Sequence, residues 1–244
     1  IDAVMLERML ADGKEQSSIY ASAYRLLDAA NMIAYLFAGL LLPIFARMIK
    51  LKHQVEDLVR LSFSILYILS SSAAIFAFNF NVEIMQLLYE HHVQESAEVF
   101  SLLMCCFVFV ASTYVFGTLL TANGNLKILN FMAATGMMLN IVLNIALIPQ
   151  YKAMGSALSS LITQGATALF QVFFAQKLFK FKINFPFMGA LLVFFIAAEI
   201  TAYGAKVYIQ DLNLSFLFCV VAFAVYALLL RIVNFKSLRK EFSV

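Results

Sequence analysis

Stretches of about 20 residues almost free of charge recur along this chain, at 59–80, 99–122, 126–148, 154–177, 186–208 and 212–233. Each is long enough to carry a helix across a hydrocarbon core about 30 Å thick. A seventh stretch runs from about Ser18 to Arg47, and residues 1–11 read as the remaining half of another helix. With 63% hydrophobic and 13% charged residues, the chain has more apolar surface than a soluble core buries, so lipid must solvate it. Backbone polar groups in lipid have to be satisfied internally, which leaves helices for runs of this length. The expected fold class is all-α, a polytopic transmembrane helical bundle. The sequence opens on Ile1 with no initiator Met and no cleavable signal pattern, so it is expected to be a piece of a longer protein lacking its N-terminal part.

Charge in the gaps between these runs alternates. Every second gap holds Arg47, Lys50, Lys52, Arg60, Lys127, Lys177, Lys180, Lys182, Arg231, Lys236, Arg239 and Lys240, whereas the others hold only Lys14, Lys152 and Lys206. Short loops kept in the cytoplasm are enriched in Lys and Arg, so the basic gaps, and the chain end at Val244, are expected to be cytoplasmic. The opposite gaps carry Asp12, Glu15, Glu83, Glu90, Glu95, Glu98 and Asp211. The net charge of +3 comes from loops that meet anionic lipid and does not argue for nucleic acid. Cys105, Cys106 and Cys219 lack metal or redox spacing and read as small packing residues.

Local signals set the expected boundaries. Asp12-Gly13-Lys14 closes the partial first span, with Ser17 or Ser18 as cap of the next helix. Pro43 should kink or end that helix, and 48–58 reads as an amphipathic connector. In 81–98, Ile84, Leu87 and Leu88 fall at helical spacing, as in a segment lying along the interface. Asn123-Gly124-Asn125 is a turn, and Pro149 is expected to end its span. No gap is long enough for a folded catalytic domain.

Polar groups within spans mark cavities or helix contacts, because they are costly in hydrocarbon. Arg25, Asp28 and Asn31 recur at three-residue spacing, with Tyr24 and Tyr35 near the same face. They are either a neutralising Arg25–Asp28 pair or a cationic anchor in a water-filled cavity. Asp2 should lie deepest in the first helix, with Glu7 and Arg8 near its outer mouth. Asn140 and Asn144 sit one turn apart, Gln164 and Gln171 share a face, and Ser156, Ser159, Ser160 and Thr163 add hydroxyls. Such groups bridge transmembrane helices or, where oxygens from two helices meet a carboxylate, hold a cation. Gly155 and Ser159 form a small-xxx-small pair. Glu199 is alone in its span, either protonated or facing a headgroup groove. The adjacent His91 and His92 read as exposed loop residues.

The segment 119–160, with Asn123-Gly124, Asn140, Asn144, Ile148-Pro149 and Gly155-Ser156-Ala157, resembles the polysaccharide-biosynthesis and O-antigen flippase family of the MATE-like transporter superfamily. IDAVMLERML, SIYASAYRLLD and Leu41 to Pro43 are similar to further patterns of that family, with Ala3 in place of its usual Arg and Ser18 in place of its usual Gly. The resemblance implies two six-helix lobes around a central cavity. Residues 1–178 would form the second lobe, helices seven to twelve with the first truncated, and 179–244 an additional helix pair. It implies the flipping of polyprenyl-diphosphate-linked oligosaccharide across the bacterial inner membrane; a diphosphate needs a cation in a sheltered aqueous cavity, and mid-span Arg25, with Asp28, Asn31 and Tyr24, is the expected substrate-binding set. From the related lipid II flippases it implies cation binding at Asp2, Asn140, Asn144 and Ser160, with sodium or a proton as coupling ion.

The expected function is therefore transport for surface polysaccharide biosynthesis, as of lipopolysaccharide O-antigen, and not enzymatic. The expected partners are membrane lipid, the lipid-linked glycan and the missing N-terminal lobe. A cation-coupled multidrug antiporter of the same fold is the alternative; it would prefer an acidic, aromatic cavity, and the chain has no Trp. A membrane glycan polymerase or ligase would need a larger outer loop than 81–98.

Overall fold

The computed structural model describes residues 1–182, 184–209 and 211–232. Eight helices follow one another: α1 (Asp2–Met9), α2 (Gly13–Lys50), α3 (Glu56–Asn79), α4 (Asn81–Leu88), α5 (Val93–Ala122), α6 (Leu126–Phe179), α7 (Phe185–Tyr208) and α8 (Leu212–Leu229). Six of them are long and apolar enough to cross a membrane, as the apolar runs require, and the protein is a multi-pass helical membrane protein. The basic tail residues Lys236, Arg239 and Lys240, and the end of the last apolar run, lie outside the described residues.

The longest helix, α6, accounts for two of the seven expected spans. Its backbone leaves the helical region at Lys152 (φ 52°, ψ −132°), and the chain folds back there. The two arms pack antiparallel: Gly155 lies against Leu147, and Gly136 against Thr167. At the turn the backbones nearly touch, since a Cβ on Gly155 would sit 2.5 Å from the Leu147 carbonyl oxygen. Gly155→Leu is therefore expected to destabilise the hairpin by about 3 kcal/mol, the upper range for overpacking. Unfolding in a denaturing-detergent titration should begin earlier, and an unchanged midpoint would show that the arms do not close on each other here. The small-residue signal was in place, but Gly155 meets Leu147, while the hydroxyl of Ser159 donates back to the Gly155 carbonyl oxygen (2.9 Å).

Several boundaries differ from expectation. The helix α2 continues through Pro43 to Lys50, and α6 passes Pro149 and breaks only at Lys152. Proline is tolerated in membrane helices where neighbouring groups take over the freed backbone carbonyl. Asp12 precedes the first residue of α2, which puts Ser17 and Ser18 inside the helix instead of at its cap. The amphipathic connector 48–58 is not a separate element, because only residues 51–55 separate α2 from α3. The 81–98 segment does contain a short surface helix, α4, which buries Met85 and leaves Leu87 and Leu88 exposed. The turn at Asn123-Gly124 forms, with Gly124 at φ 79°, a conformation glycine adopts freely.

The core is organised around α5, which packs against α2, α3, α4 and α6 and buries Leu103, Phe107, Val115 and Leu119. A second apolar cluster joins α7 and α8 to α3 through Ile75, Phe80, Phe194 and Phe223. Polar contacts fix the same joint. Asn79 at the end of α3 donates from Nδ2 to Glu199 (3.1 Å), and its carbonyl oxygen accepts from Lys206. Lys206 also pairs with Glu83 of α4 (3.3 Å). The lone carboxylate of α7 thus has a protein partner, a reading the sequence alone did not yield.

Candidate cation and substrate site

Asp2, Asn140, Asn144 and Ser160 come together. The Asp2 carboxylate accepts from Ser160 Oγ (2.8 Å) and Tyr20 OH (2.7 Å) on Oδ2, and from Asn144 Nδ2 (3.0 Å) on Oδ1. Asn144 Nδ2 also donates to Asn140 Oδ1 (3.0 Å). The depth match has a simple origin. Asp2 and Tyr20 each lie seven residues from their ends of the 10–12 turn, and Asn144 and Ser160 each eight from Lys152. At 1.5 Å per residue all four sit about 10–12 Å from the same side, well inside a hydrocarbon core. Lys152 and Asp12 clamp the two turns together (2.7 Å), and the Lys152 ammonium holds the Asp12 carboxyl below its ordinary range.

Tyr20 was not anticipated. A lone tyrosine in an apolar run reads as packing, and only its position across from Asp2 reveals the hydroxyl as part of the centre. It is buried and stacks on Tyr24, with ring centroids 5.8 Å apart.

The donor set can do two things. It satisfies the Asp2 carboxyl oxygens with three hydrogen bonds, and it offers a hard cation a carboxylate, two carboxamide oxygens and two hydroxyls, the oxygen chemistry such ions select. Asn144 Oδ1 is buried with no hydrogen-bond partner; reorienting this amide would turn that oxygen toward the carboxylate, since carboxamide N and O are assigned from their hydrogen bonds. Beside the cluster opens a cavity of about 410 Å³ lined by Asp2, Tyr24, Asn31, Asn140, Ser160 and Gln164, among others. Asn31 Oδ1 also lacks a partner. Gln171, by contrast, is buried against Gly117 of α5 and does not line this cavity.

The proposed substrate set divides. Tyr24, Asp28, Asn31 and Tyr35 fall within about 60° of one another around α2, but Arg25 is turned about 100° from Tyr24. Tyr24 and Asn31 line the Asp2 cavity, whereas Arg25 lines a separate cavity of about 240 Å³ with Tyr89, Glu90, His91, His92 and Ser96. Arg25 and Asp28 are both exposed and form no ion pair among the described residues. The expected neutralising pair is therefore not seen, although i,i+3 spacing leaves the two side chains only about 60° apart around α2. His91 and His92, expected to be plain loop residues, flank the Arg25 cavity, and His92 Nδ1 lies 3.4 Å from Glu15. Glu7 and Arg8 are exposed beside the turn at residues 10–12.

Compared with protein-family models and with curated proteins, the chain matches none.

Proposed function

We propose that this chain is the second lobe, with an additional helix pair, of a transporter that flips polyprenyl-diphosphate-linked oligosaccharide across the bacterial inner membrane by alternating access, with its basic side and C-terminus cytoplasmic. The observation that carries the reading is Arg25. A guanidinium on an exposed face of a membrane span, with no ion pair among the described residues, needs water or an anion to be tolerated there, and a diphosphate is matched by its forked donors. Two further features support it. The residues that carry the family resemblance are those the fold uses: Gly124 in the turn, Asn140 and Asn144 in the polar centre, Gly155 at the arm contact. A groove of about 370 Å³, lined by Leu69, Phe76, Met104, Phe216 and Phe223 among others, offers the apolar surface that a prenyl tail requires. In this reading the Asp2 centre holds the coupling cation, sodium or a proton, whose charge would offset the carboxylate and tie α1 to α6.

A drug-antiporter reading has one observation in its favour: exposed Asp28 shares a face of α2 with Tyr24 and Tyr35, and Tyr35 meets Tyr114 edge-on at 6.3 Å. Anionic and aromatic surface of that kind attracts organic cations. The complete protein in proteoliposomes separates the two. Lipid-linked oligosaccharide should become accessible to an external lectin under a cation gradient, with no movement of ethidium. Ethidium transport without glycan translocation would replace the flippase by the antiporter.

A further inference from the structure

On the basic side, at the far end of the α7–α8 pair from Lys206, a cavity of about 280 Å³ lies between the start of α3, the start of α7 and the end of α8. Two arginines line it. Arg60, one turn into α3, spends one guanidinium nitrogen on Glu56 (Nη2–Oε1 3.3 Å) and rests over the Phe187 ring (5.7 Å to the centroid). Arg231, two residues past the end of α8, adopts the left-handed region (φ 50°), is exposed, and has no ion pair among the described residues. Among the described residues the one carboxylate in the lining is Asp57. The α7 N-terminus adds little: Asn184 already caps Phe187 N–H (2.9 Å), and Pro186 has no donor.

We propose that this cavity binds the headgroup phosphate of an anionic phospholipid. The arginine forks suit phosphate oxygens, and Glu56 occupies a fraction of the five donors on Arg60. The rest of the lining argues for an amphiphile instead of free phosphate. Phe187, Leu230 and Ile232 form the apolar wall, and it runs into exposed hydrophobic residues of the same helices, with Phe185 75% and Leu229 72% exposed. A phosphate held by Arg60 and Arg231 would leave its acyl chains against that surface. Basic pockets between transmembrane helices are suited to anionic headgroups. This assignment does not depend on what the Asp2 and Arg25 cavities transport.

The test is lipid retention by the complete protein, extracted from nanodiscs of phosphatidylglycerol and phosphatidylcholine in equal amounts and read by native mass spectrometry. Phosphatidylglycerol should be retained preferentially, and Arg60→Gln and Arg231→Gln should each weaken retention about fivefold. Lys127→Gln, in another basic gap and not part of the lining, should leave it unchanged. Arg231 is exposed, so its variant tests the site even if Arg60→Gln impairs folding. Equal retention of both lipids, or phosphatidylglycerol retention that survives Arg231→Gln, would overturn the site. Complete displacement of phosphatidylglycerol by millimolar inorganic phosphate would overturn the lipid assignment in favour of a soluble anion.

Discussion

Replacing Asp2 with Asn is expected to remove any dependence of the protein's thermal stability on sodium. In the wild type, the carboxylate is the only formal charge among the oxygens contributed by Tyr20, Asn140, Asn144 and Ser160. Without it, a monovalent cation would face only dipoles. Binding to the folded state alone stabilises by mass action, about 2.7 kcal/mol at a hundredfold excess over Kd. For a chain of this size that corresponds to about 5–10 °C in Tm. The wild type should therefore melt later in sodium chloride than in an equal concentration of choline chloride, and Asp2→Asn should melt at one temperature in both. Asn keeps the shape of Asp and can still accept from Tyr20 and Ser160, so a collapsed fold would not mimic the result. A sodium shift that persists in Asp2→Asn would remove the cation from this centre. A wild type insensitive to sodium but shifted by pH, with the shift lost in Asp2→Asn, would assign the coupling to a proton.

The second large effect is expected at Arg25. Arg25→Ala in the complete protein should lower glycan export by about 100-fold, the loss expected when charge-assisted hydrogen bonds worth about 3 kcal/mol disappear. Arg25 is exposed and unpaired among the described residues, so no packing is lost with it, and membrane insertion and elution as a folded monodisperse species should be unchanged. Arg25→Lys keeps the charge but not the fork and should recover only part of the activity. Export at the wild-type rate in Arg25→Ala would end the assignment of the phosphate anchor. Because Arg25 shares its cavity with His91 and His92, while Asp2 lines the other, the two substitutions should fail differently: the first in cargo handling, the second in ion response.

The fold was legible because lipid solvation leaves a run of about 20 apolar residues almost no choice but helix. The places where helices stop were less so. Pro43 and Pro149 are strong breakers in water, yet here the chain turns at Lys152, a residue with no breaker signal, because the two arms are pressed together through Gly155. The four residues assigned to a cation converge, since equal distance from a turn puts residues of adjacent antiparallel helices at equal depth, and that can be counted along a sequence. The substrate set did not hold together for an equally simple reason. Arg25 follows Tyr24 directly, and one residue rotates a helix by about 100°, enough to send neighbouring side chains into different cavities. Tyr20 escaped notice because its role exists only opposite Asp2. Glu199 looked solitary because its partner, Asn79, lies 120 residues away in the chain.

That amide also constrains how the protein can change over generations. Asn79 binds Glu199 through its side chain and Lys206 through its backbone, and Lys206 in turn holds Glu83. The amide keeps a bond to the Ile75 carbonyl oxygen if Glu199 is lost, but Glu199 loses its partner if Asn79 is, so the two positions are expected to drift in concert: a descendant that surrenders the amide should surrender the acid with it.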